Sequence, residues 1–114
     1  MIELIARDGH TLSAYRADPE GAPKGAVVVL QEVCGVNPHI QKLADAFAAR
    51  GYVAIAPSLF DAVQSGVSLG YDEASLAEGY DLMRQIERKR AFADIQAAVD
   101  AVKDAGKVAV VGDA

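Results

Sequence analysis

The chain has 114 residues, 52% of them hydrophobic, a single cysteine and a formal net charge of −5. That length fits one domain or part of one, with enough apolar residues to build a core. The acidic balance argues against a nucleic-acid partner, the lone Cys34 excludes an internal disulfide, and no apolar run approaches the roughly 18 residues of a membrane span. Met1-Ile2-Glu3-Leu4-Ile5-Ala6-Arg7-Asp8 lacks the basic start and long apolar stretch of a secretion signal. A cytoplasmic protein without a membrane partner is expected.

In chain order, residues 2–17 read as an antiparallel hairpin turning at Asp8-Gly9. Asp18 to Pro23 holds two prolines and a glycine and reads as a loop. Ala26-Val27-Val28-Val29-Leu30 is a continuous apolar run, the pattern of a parallel strand covered on both faces. Asn37 caps the next helix, and Pro38 suits its first position because proline lacks only an N–H that would be unpaired there. Ile40, Leu43, Ala44 and Phe47 repeat at i, i+3, i+4 and i+7, so they share a buried stripe, and Gly51 stops the helix. Tyr52 to Ala56 is a second buried strand ended by Pro57.

Residues 58–71 read as a long loop. Ser75-Leu76-Ala77-Glu78 has capping-box spacing and should open a helix, with Leu76, Tyr80 and Met83 on its inner face. Glu87-Arg88-Lys89-Arg90 interrupts the apolar pattern and is a solvated face, a helix break or a docking patch. From Phe92 a second helical period carries Ile95, Ala98, Val99 and Val102 and ends at Gly106, ahead of a last strand at 108–111. The order is α/β: a hairpin, then parallel βαβ units, in three layers.

Ligands of open α/β sheets bind at the carboxyl ends of strands. Glu32 follows the first buried strand directly. It is either a partly desolvated carboxyl of raised pKa suited to proton handling, or an acceptor for backbone N–H groups that holds its loop. Cys34 is either an inert loop residue or the partner of His39, five residues on, since a cysteine nucleophile needs a nearby base. His10 is expected to be an exposed hairpin residue. No cysteines, histidines or acidic residues have metal-ligand spacing, and no glycine-rich phosphate loop is present. Neither a metal nor a cofactor is expected.

The run Val28-Val29-Leu30-Gln31-Glu32-Val33-Cys34-Gly35-Val36-Asn37-Pro38-His39-Ile40, followed by Leu43-Ala44-Asp45 and Gly51-Tyr52-Val53-Ala54-Ile55-Ala56-Pro57-Ser58-Leu59-Phe60, resembles the dienelactone hydrolase family. The resemblance covers essentially the whole chain and the N-terminal half of a family member. It implies an α/β-hydrolase fold and metal-free hydrolysis of small esters or lactones by a Cys-His-Asp triad. It places Glu32 at the family's loop glutamate, which contacts the nucleophile. It also places the Val33 backbone N–H in the oxyanion hole and Tyr80 near a substrate-contacting tyrosine. Leu76 lies near the position of the family's substrate-binding arginine. The nucleophile turn should read Gly-x-Cys-x-Gly-Gly, but here Gly112-Asp113-Ala114 puts alanine at the nucleophile position. A single, incomplete α/β-hydrolase-like domain that is inactive alone is expected, its ester or lactone bound only once a C-terminal half completes it. The alternative is a non-catalytic module that regulates or self-associates through the 108–111 edge.

Overall fold

The structure, a computed structural model, describes residues 1–112. Strands β1 (Ile2–Ile5) and β2 (Thr11–Ala17) form the antiparallel hairpin, with Leu4 opposite Leu12. Strand β3 (Ala26–Leu30), helix α1 (Pro38–Ala49) and strand β4 (Val53–Pro57) form the strand–helix–strand unit. Helices α2 (Glu73–Gln85) and α3 (Arg88–Val102) follow, and strand β5 (Val108–Gly112) is the last. The sheet order is β1-β2-β4-β3-β5. β3 lies parallel to both β4 and β5, whereas β2 joins β4 antiparallel. This is the α/β sheet with an antiparallel margin that the patterning predicts.

Successive strand residues point to opposite faces, and the two faces are covered by different helices. Ala26, Val28, Val53 and Ile55 pack with Ala97, Ala98 and Val102 of α3 and with Leu4 and Leu12 of the hairpin. Val27, Val29, Ala54 and Ala56 pack with Ile40 and Ala44 of α1, flanked by Leu43 and Phe47. The α1 stripe is therefore the one read from its spacing. A third, smaller cluster of Phe60, Val67 and Leu82 seats α2 on the segment after β4.

Three expectations change. First, α2 opens at Glu73, not at Ser75: Asp72 is its N-cap and accepts from the Ser75 N–H at 3.2 Å. The inner face carries Gly79 and Leu82, while Tyr80 and Met83 are exposed. Second, α3 begins at Arg88, and Phe92 is 65% exposed. The charged run 87–90 therefore holds a helix break, with Glu87 as the cap residue of α3. Third, His10 is not an exposed hairpin residue. Its Nε2 lies 2.5 Å from Asp94 Oδ1, its Nδ1 faces Asp8, and its side chain is 16% exposed. Asp94 is fully buried on α3, so His10 clips the hairpin turn to that helix. The segment 58–71 also has more structure than a plain loop, with a 3-10 turn at Leu59–Ala62 and a β-bridge from Ser68 to Gly35.

Candidate active site

The carboxyl end of β3 runs into residues 31–37, where several polar groups have defined partners. Gln31 is buried. Its side-chain oxygen accepts from the Leu59 and Phe60 N–H groups at 2.7 and 3.3 Å, tying β3 to the segment after β4. Glu32 O accepts from Gly35 N at 3.0 Å, so residues 32–35 form a tight turn with Val33 and Cys34 at its centre. Gly35 ends the turn at φ +77, where a Cβ would lie 2.7 Å from the Val67 carbonyl oxygen. Only glycine suits that site.

Segment 67–72 stitches the far side. Leu69 N donates to Cys34 O at 2.9 Å, and the Cys34 thiol donates to Gly70 O at 3.2 Å. Asn37 caps α1 through the Ile40 N–H and, from the same buried side chain, donates to Leu69 O and to the Tyr71 hydroxyl, each at 3.1 Å. Burial pushes the Cys34 thiol up, and the negative charges of Glu32 and Asp72 push it further in the same direction. Those are the conditions of an inert thiol. His39 lies in the first turn of α1 and is exposed, whereas Cys34 is 1% exposed. The Cys34 thiol is thus engaged with the Gly70 carbonyl.

Glu32 is half-buried at the strand end and within electrostatic reach of Cys34. Helix α2 approaches Val33 closely: a Cβ on Gly79 would lie 2.0 Å from the Val33 carbonyl oxygen. Tyr80, next along α2, is 57% exposed. The expected nucleophile position, Ala114, lies outside the described residues. Two serines at the same end of the sheet, Ser13 and Ser58, both donate their hydroxyls to Asp61, at 2.7 and 2.9 Å. They bind the hairpin to the 3-10 turn.

Sequence reasoning missed the clamp made by Gln31 and the staple made by Asn37 with Tyr71. A polar pair, Gln-Glu, at the end of an apolar strand is the available signal for the first. The second has none, because it depends on a loop more than thirty residues away. Among the described residues no group of three or more His, Cys, Asp or Glu could hold a metal ion, and no helix is long and apolar enough to cross a membrane.

The chain resembles known proteins over nearly its whole length. The sequence profile of the dienelactone hydrolase family matches residues 12–112. The chain belongs to the dienelactone hydrolase family. It is 29% identical over 116 aligned residues to the carboxymethylenebutenolidase of Pseudomonas putida, covering 97% of this chain and 49% of that one. A Klebsiella pneumoniae protein assigned as a dienelactone hydrolase superimposes with a TM-score of 0.74 at 26% identity, over 97% of this chain and 48% of that chain. A dienelactone hydrolase-like promiscuous phosphotriesterase, P91, from metagenomic libraries superimposes with a TM-score of 0.64 at 30% identity, over 97% of this chain and 47% of that chain. The chain thus spans about half the length of the dienelactone hydrolase relatives it matches.

Proposed function

We propose that this chain forms the Glu32–Val33 side of a hydrolase site for small carboxylic esters or lactones. The observation that carries the reading is the loop 31–37 at the carboxyl end of β3, held on both sides by hydrogen bonds, in a chain of the dienelactone hydrolase family. In acyl transfer the attacked carbonyl oxygen becomes negative, and a preorganised N–H stabilises it. In this proposal the Val33 N–H is the first such donor, and the second comes from the residue after the nucleophile. Glu32 contacts the nucleophile and governs its ionisation, and Tyr80 contacts the substrate.

The proposal includes that the 114 residues do not turn over esters alone. Cys34 is buried, bonded to Gly70 O and raised in pKa, the reverse of an activated nucleophile. His10 is held between Asp8 and Asp94. Ala114 has neither thiol nor hydroxyl. The test is aryl-ester hydrolysis by the chain alone and mixed with the polypeptide that supplies the other half of a family relative, with a phosphotriester assayed alongside because of P91. No turnover alone and turnover on mixing, lowered by Glu32→Gln, are expected. Turnover by the chain alone that disappears on alkylating Cys34 would overturn the reading.

One observation favours a second reading, a self-associating or regulatory module. β5 pairs with β3 on one side, and its Ala109 and Val110 are exposed, Val110 by 48%. Such an edge is a template for pairing with another copy. Light scattering that shows a monomer at high concentration excludes the self-associating form of this reading.

A further inference from the structure

We infer that Gly79 is a positioning residue for the Val33 peptide. Its meaning for catalysis rests on the oxyanion reading above, but its geometry does not. In the turn from Glu32 to Gly35 the central peptide joins Val33 to Cys34. That unit distinguishes one turn type from another, because rotating it reverses both the Val33 carbonyl and the Cys34 N–H. Segment 67–72 pins the Cys34 side, through Leu69 N to Cys34 O at 2.9 Å and the thiol to Gly70 O at 3.2 Å. The Val33 side is pinned by α2. A Cβ at Gly79 would lie 2.0 Å from the Val33 oxygen, 3.0 Å from its carbonyl carbon and 2.9 Å from its Cγ2.

Glycine is disfavoured inside a helix, and Gly79 lies in the middle of α2 with no left-handed backbone to justify it. The close approach is the justification. A methyl group at this position fits only if α2 withdraws, the carbonyl tilts or the central peptide rotates. Each of these changes moves the peptide plane beside the Val33 N–H. The contact is to backbone, which has no rotamer with which to yield, so the site requires glycine and not merely a small residue.

The test uses the full 114-residue chain, labelled with 15N, and compares amide spectra of the parent, Gly79→Ala and the exposed control Glu78→Ala. For Gly79→Ala the Val33, Cys34 and Gly35 resonances should shift. Exchange of the Gly35 and Leu69 amides should accelerate by roughly tenfold while Val28 and Ile55 in the sheet keep their rates. Glu78→Ala should move none of them. A folded Gly79→Ala chain with Val33 to Gly35 unmoved overturns the inference. Adding Val33→Ala removes Cγ2 and leaves the carbonyl. If that restores the Cys34 and Gly35 resonances, the contact was side-chain crowding and the inference fails; persistence of the shift supports it. If Gly79→Ala does not fold, the parent decides: a nuclear Overhauser effect from Gly79 Hα to the Val33 methyl is expected, and its absence overturns the inference. None of these readouts involves ester turnover, so a failed hydrolysis assay and a failed positioning test are distinguishable.

Discussion

Cys34 and His10 both carry reactive side chains, and both are engaged in contacts within the fold. Cys34 is 1% exposed, and its thiol is bonded to the Gly70 carbonyl. We predict that a thiol reagent modifies it slowly in the folded chain, with a rise on the order of 10²-fold in denaturant, measured by colorimetric titration. His10 joins a fully buried Asp94, on which Arg90 Nε also converges at 3.5 Å. Removing His10 leaves a fully buried carboxyl oxygen without that hydrogen-bond partner, so His10→Ala should cost about 2–3 kcal/mol in urea unfolding. At the surface, Arg7 donates two hydrogen bonds to Asp100, at 2.9 and 3.0 Å, and holds its carboxyl at about 2, below the usual 3.8. A carboxyl depressed in the folded state contributes stability above its unfolded pKa and loses it as pH falls through the folded one. The contribution therefore fades between pH 3.8 and about 2. Unfolding midpoints across that range should fall less steeply in Arg7→Ala, and high salt should shrink the difference.

Among the elements, α1 was readable because its signals are local. Asn37, Pro38 and the stripe of Ile40 and Ala44 lie within eight residues of each other. The second role of Asn37 was not readable, since its amide also holds Leu69 and Tyr71. Asn37→Ala removes a cap and leaves the half-buried Leu69 carbonyl without its donor. It should cost about 2–3 kcal/mol, more than the ~1 kcal/mol of a cap alone, and Asp72→Ala at the other helix should show only the smaller value in thermal unfolding. The start of α2 lies earlier than local spacing suggests because Ser75-x-x-Glu78 mimics a capping box, while Asp72 three residues earlier competes for the same N–H. Its inner face departs from the hydrophobic period for a different reason. A hydrophobic period cannot reveal that a glycine, not a tyrosine or methionine, faces the core when the neighbour is the Val33 carbonyl.

Across the molecule, the continuous apolar runs of β3 and β4 required helices on both faces, and α3 and α1 supply them. The alternation of Val28 toward one helix and Val29 toward the other follows from the period of a strand. The sequence alone determined the α/β class, the strand–helix–strand unit, the family and the loop in which Glu32 and Val33 lie, because these depend on short-range pattern and on residues adjacent in the chain. Only the tertiary structure decided that Cys34 is buried and bonded to Gly70, that His10 is a clip to buried Asp94, and that Gly79 lies against Val33. Each depends on a contact between segments 36 to 84 residues apart, or on the missing side chain of a glycine, and neither leaves a trace in local sequence. The loop at the end of β3 is thus written in the chain, while the hydrogen bonds that hold it come from the fold.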